Sequence, residues 1–89
     1  MLRINPSKQA IKFLEKAQPK HAKQISKKLM EMRLNPFPHD SIQLKGEHSH
    51  LYRADIGEYR IIYHCRDGVL FINIIGKRND GEVYKLLKR

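Results

Sequence analysis

The feature that most constrains this chain is a change of period at mid-sequence, where apolar residues at helical spacing give way to three short runs rich in β-branched and aromatic residues. The runs are Leu51 to Ile56, Tyr59 to Arg66 and Val69 to Ile75, separated only by Gly57-Glu58 and Asp67-Gly68. Such residues suit a pleated, half-buried surface, and the glycine of an Asp-Gly pair accepts the positive φ of a tight hairpin. The segment predicts three consecutive antiparallel strands. Val69 to Ile75 is apolar on both alternating faces apart from Asn73, the pattern of a strand buried in mid-sheet with helices across one side.

The first half predicts a helical hairpin. Ser7 has the hydroxyl of an N-cap and precedes Lys8 to Gln18, where Ala10, Phe13, Leu14 and Ala17 recur at helical spacing. Pro19 breaks this helix and suits the first turn of a second, from Lys20 to Leu34, which ends before Asn35-Pro36. On the second helix Ala22, Ile25, Leu29 and Met32 share one side, and Lys20, Lys23 and Lys27 the other. Residues 35–50 are rich in breakers and read as loop, with a short extended piece around Ile42-Gln43-Leu44. After Gly76 and the Lys77 to Asp80 stretch, Val83, Leu86 and Leu87 predict a short helix or frayed tail within Gly81 to Arg89. The expected architecture is α+β, an N-terminal helical hairpin packed on a small antiparallel β-sheet with a short C-terminal helix, as one domain over residues 1–89.

Eighty-nine residues allow one modest core. The 40% hydrophobic and 30% charged content, with both signs mixed, suits a folded domain. A single cysteine, Cys65, excludes an internal disulfide and suits a reducing compartment. Without a signal-like apolar core at its start or any membrane-length run, the chain reads as cytoplasmic and free of membrane. Its net charge of +9 implies attraction to a polyanion or an acidic protein partner. Residues 1–34 carry nine basic against two acidic groups, so the positive field lies mostly on the N-terminal half.

Two readings apply to most of the candidate residues. Lysines along the hairpin, including Lys23 and Lys27, either follow a phosphate backbone by point-charge attraction or keep an exposed helix face soluble. Arg53, Arg60 and Arg78, on or just after strands, form a phosphate clamp, or else Arg53 pairs with Asp55 and Arg60 with Glu58. Among the tyrosines, Tyr84 stands apart on the C-terminal segment after Lys77-Arg78, where it can reach a bound ligand. His39, His48, His50 and His64 have neither a thiolate partner nor a helical ligand pair, so no metal site is expected; His64, on the strand face of Arg60, is a candidate proton shuttle.

Several of these residues recur in a wider pattern. Leu44-Lys45-Gly46, Leu51-Tyr52-Arg53, Gly57-Glu58-Tyr59-Arg60-Ile61-Ile62-Tyr63 and Gly76-Lys77-Arg78 with Glu82-Val83-Tyr84, in this order, resemble the RelE branch of the RelE/ParE toxin superfamily over nearly the whole chain. The resemblance implies a toxin neutralised by a cognate antitoxin and contacting operator DNA only through that complex. It also implies a metal-independent, cofactor-free endoribonuclease that enters the ribosome and cuts messenger RNA by attack of a 2′-hydroxyl on the adjacent phosphate. Arg60, Arg78 and Tyr84 carry over as active-site residues, and Arg53 as the basic residue after the first strand's tyrosine; Lys45, Lys77, Lys23 and Lys27 stand beside them as candidate RNA or phosphate contacts.

One position departs from the pattern. Where the RelE branch has a second lysine on the first long strand, this chain has Asp55, which repels phosphate unless it pairs with an arginine or accepts the 2′-hydroxyl proton. Asp55 and His64 are therefore the candidate general bases. The resemblance leaves two alternatives, a ParE-like inhibitor of DNA gyrase and a catalytically weak toxin acting mainly by binding.

Overall fold

The computed structural model describes residues 1–79 and 81–88. In chain order the elements are β1 (Arg3–Pro6), α1 (Lys8–Lys16), α2 (Pro19–Leu34), β2 (Ile42–Gln43), β3 (Tyr52–Ile56), β4 (Tyr59–Arg66), β5 (Val69–Lys77) and α3 (Glu82–Leu87), with a 3-10 turn at Gly46–His48. Asp80 and Arg89, the ends of the predicted post-strand stretch and tail, lie outside the described residues.

The helical hairpin forms for the reasons its sequence supplies. Ser7 Oγ accepts the Ala10 amide at 3.1 Å, capping α1, and Pro19 sits in the first turn of α2, where its missing N–H leaves no bond unmade. α1 ends at Lys16, sooner than its periodicity predicts, because the ring of Pro19 pushes Gln18 out of the helical region and Ala17 is extended with it. α2 buries Ile25, Leu29 and Met32 and leaves Lys20, Lys23 and Lys27 in solvent.

The meander also follows its pattern. Asp67 and Gly68 both take positive φ, 52° and 77°, the combination of a type I′ turn, and the hairpin they close pairs Arg66 with Val69 and His64 with Phe71. The sheet order is β1-β5-β4-β3-β2. Pairing is antiparallel except between β1 and β5, which run parallel, so the expected antiparallel sheet is in fact mixed. β1 has no counterpart in the sequence reading: four residues containing one isoleucine and a proline carry too little alternation, and the strand exists because β5 offers it an edge.

Pro6 cannot donate to the ladder, and the parallel pairing stops where it meets Ile72. Beyond that point Gln9 takes over, its side-chain amide donating to the Ile75 carbonyl at 2.7 Å and accepting from the Ile75 amide at 2.9 Å. Backbone groups of β5 left open by the short β1 are thereby satisfied. Ser7 closes the same seam, donating to the carbonyl of Asn73 at 2.8 Å beside a β-bulge.

Two apolar clusters share the sheet. On the hairpin side Ile25, Leu29 and Met32 meet Ile61, Tyr63, Leu70, Ile72 and Ile75. On the other side α3 brings Val83 onto Leu51, Ile62 and Ile74. Helices thus cover both faces, not one, which accounts for a β5 apolar on both of its sides. Gly76 makes the second contact possible, since a Cβ there would lie 3.0 Å from Cγ1 of Val83.

Candidate functional site

Strand alternation decides what shares the face under α3. Tyr52, Ala54, Tyr59 and Ile61 point to the hairpin, so Arg53 and Asp55 on β3 and Arg60 on β4 point the other way. Asp55 and Arg60 are direct cross-strand partners. The arginine grips the carboxylate with two bonds, Nε to Oδ1 at 2.7 Å and Nη2 to Oδ2 at 3.1 Å. Pairing of Asp55 with Arg53, or of Glu58 with Arg60, does not occur among the described residues. Residues opposite each other on neighbouring strands have Cβ atoms ~5 Å apart, closer than residues two along one strand, and the cross-strand fork prevails.

Arg78 and Tyr84 come from beyond the sheet. Arg78 follows β5, where its amide donates to the Glu58 carbonyl at 2.9 Å, its Nη1 to the Gly57 carbonyl at 3.4 Å, and its Nε lies 3.9 Å from Asp55 Oδ2. Tyr84 on α3 sets its hydroxyl between two guanidinium groups, accepting from Arg53 Nη1 and, at 3.2 Å, from Arg60 Nη1. Arg60 also lies 5.8 Å over the Tyr84 ring, within cation–π range. Three cations and a phenol thus surround one carboxylate.

Burial divides the arginines by task. Arg60 has a side chain only 14% exposed, with Nε, Nη1 and Nη2 all engaged, whereas Arg78 is 49% exposed. The hydrogen bonds from Arg60 hold the Asp55 carboxyl below its ordinary range; burial opposes them, and the charges of Arg60, Arg78 and Arg53 add to them. The same bonds from the other side raise Arg60, which stays a cation. The face keeps a surplus of positive charge, and Arg78 is the more exposed of this pair of arginines.

Other candidate residues fall elsewhere. Lys77, the last residue of β5, turns to the hairpin side and lines with Lys12 and Lys16 a cleft of about 600 Å³. Strand alternation sends neighbouring Lys77 and Arg78 apart. Lys23 and Lys27 lie on the solvent face of α2, across the sheet from the arginines. Lys45 is exposed in the loop after β2, next to Leu44, which packs toward α3. His64 shares the face of Arg60 but is four residues away along β4, with Ile62 between, and its Nδ1 is bonded to Asn73 Oδ1 at 2.8 Å. Sequence reasoning overlooked the neighbours of His64, Phe71 and His50, although the Asp67-Gly68 hairpin already sets His64 opposite Phe71.

Fold and site together define a small basic α+β protein with an arginine cluster under a C-terminal tyrosine. The family model described as ParE toxin of type II toxin-antitoxin system, parDE, matches residues 4–81, and the chain belongs to that family, within the RelE/ParE superfamily. Solved structures agree. RelE in the archaeal RelE-RelB complex from Pyrococcus horikoshii is 29% identical, with a TM-score of 0.74 over 89% of this chain and 97% of that one. The isolated E. coli RelE toxin is 25% identical, with a TM-score of 0.75 over 99% and 96% of the two chains. The RelBE2 toxin-antitoxin complex from Mycobacterium tuberculosis shares the fold, at 19% identity and a TM-score of 0.77 over 86% and 98%. No match was found among curated proteins.

Proposed function

We propose that this type II toxin is a ribosome-dependent messenger RNA endoribonuclease, held in check by a cognate antitoxin. The observation that carries the reading is the Tyr84 hydroxyl seated between Arg53 and Arg60 with Arg78 exposed beside them. Similar RelE chains crystallised in complexes with RelB support the antitoxin partner.

In the reaction proposed, the substrate 2′-hydroxyl gives its proton to water as its oxygen bonds to the adjacent phosphorus, the bond from phosphorus to the 5′-oxygen breaks as that oxygen takes a proton from Tyr84, a 2′,3′-cyclic phosphate and a 5′-hydroxyl result, and Tyr84 regains its proton from solvent. Arg78 and Arg53 meet the negative charge that gathers on the phosphoryl oxygens at the transition state. Tyr84 serves the leaving group: its oxygen accepts from two arginines, so its own proton is free to go to the departing 5′-oxygen. Asp55 is a poor base here, its carboxyl depressed and both of its oxygens engaged. It positions Arg60 instead.

Wild-type protein added to a translating extract should cut message at the ribosome and leave cyclic phosphate ends. Arg78→Ala should slow cleavage ~10²–10³-fold, the cost of losing one donor to a developing oxyanion, with the fold unchanged by circular dichroism. Intact message under conditions where the E. coli RelE toxin cuts would refute the activity. DNA supercoiling inhibited with translation unaffected would establish a gyrase inhibitor instead.

A further inference from the structure

The sheet face that carries the arginines continues past the end of α3, and what it presents there is aromatic and basic. His64 on β4 and Phe71 on β5 are register partners whose rings stack at 4.7 Å between centroids and 9° between planes. The exposed His50 meets His64 edge-on at 5.9 Å. Arg66, two residues beyond His64 and exposed, holds its guanidinium 5.8 Å over the Phe71 ring. Asn73 Oδ1 fixes the His64 ring through Nδ1. Neither stacked ring is sealed in the core, since His64 and Phe71 are both half-buried.

A cross-strand aromatic pair can exist solely to stabilise a sheet. Two features go further here. The column runs with a cation, Arg66, which lies 4.0 Å from Asp67 in the turn, and Arg3 of the neighbouring β1 is exposed on the same face. The column is also in line with the arginine site, since Arg60, Ile62, His64 and Arg66 succeed one another on one side of β4. Four residues separate His64 from Arg60, about 13 Å at ~3.3 Å per residue. Flat π-faces beside arginines, aligned with a phosphate site, match the chemistry of single-stranded nucleic acid, whose bases stack while its phosphates pair with cations.

We propose that His64, Phe71 and Arg66 form a stacking platform that holds a nucleobase of the RNA strand whose phosphate lies at Arg53 and Arg78. The proposal rests on the reading of the arginine cluster as an RNA site, and it assigns His64 to base binding, not to proton transfer. Ile62 between the two sites is buried beneath Val83 of α3, so β4 offers nothing to the intervening stretch of the strand, which is held at two points.

The test separates binding from cleavage by using short 2′-O-methyl RNA oligonucleotides, which lack the attacking hydroxyl, with affinity measured by fluorescence anisotropy. Phe71→Ala should weaken binding about ten-fold, the order expected for one stacked base, and Phe71→Tyr should restore it. Abasic substitutions walked along the oligonucleotide should find one position that costs wild-type protein a similar factor and costs Phe71→Ala nothing more. An Arg53→Ala variant should still distinguish that abasic position. Equal affinity of wild type and Phe71→Ala, or an abasic penalty that survives in Phe71→Ala, overturns the platform, as does absence of any oligonucleotide binding at millimolar concentration. Cleavage in extract, scored separately, decides the endoribonuclease reading: bound but uncut RNA leaves the platform standing while that reading falls.

Discussion

At the scale of single residues, Asp55 sets the character of the site. A carboxylate in a phosphate-binding cluster subtracts charge, yet here it is the piece that locks Arg60 and draws in Arg78. Two consequences follow. Asp55→Asn keeps the shape but removes the charge, and cleavage should stay within about ten-fold of wild type, whereas loss of a true general base costs ~10²–10⁴-fold. Single-turnover rates on ribosome-bound message decide between these. For stability, the folded protein holds the carboxyl below its ordinary value of 3.8, so on acidification the unfolded chain takes up the proton first. The stabilising contribution is complete above the unfolded value and is lost as pH falls through the lower folded one. Urea unfolding at neutral pH should therefore show Asp55→Asn less stable by ~1 kcal/mol, a charged hydrogen bond discounted for a carboxylate still 32% exposed. The gap should close below about pH 4.

At the scale of elements, α3 acts as a carrier for Tyr84, and Gly76 is what allows it to dock. Gly76→Ala places a methyl 3.0 Å from Val83 Cγ1, and because Val83 is fully buried it cannot swing away. The helix must lift, taking the Tyr84 hydroxyl off Arg53 and Arg60. Thermal unfolding should fall by ~1–3 kcal/mol, the cost of overpacking, and cleavage should drop while far-UV circular dichroism changes little. Val83→Ala in the same background should recover part of both, which a loss unrelated to this contact would not. These elements were legible to different degrees. The hairpin and meander could be read from caps, breakers and periodicity, and the common face of Arg53 and Asp55 from alternation. β1 could not, because a four-residue strand takes its conformation from its neighbour. Nor could the partner of Asp55, which needed the cross-strand register, or the side to which Lys77 turns, which depends on β5 running two residues past Ile75.

At the scale of the whole molecule, the lysine-rich face and the arginine cluster lie on opposite sides of the sheet. The hairpin lysines face solvent on one side, and the arginine cluster lies under α3 on the other. Lysines so placed cannot touch a phosphate at Arg78, so their contribution to the proposed activity is long-range attraction to the polyanionic target, and attraction of that kind is screened by salt. Lys23→Gln with Lys27→Gln should slow association with ribosomes at low ionic strength and flatten its dependence on salt. For equilibrium binding, the log–log slope should fall by ~0.7–0.9 for each lysine that meets a phosphate. Cleavage at saturating protein should be unchanged, since no group around the reacting phosphate has been altered. Arg78→Ala should show the converse, a slow chemical step with nearly normal association. If the double lysine variant instead loses saturated cleavage, the hairpin face touches the substrate near the scissile bond, and the separation of attraction from chemistry across the sheet is wrong.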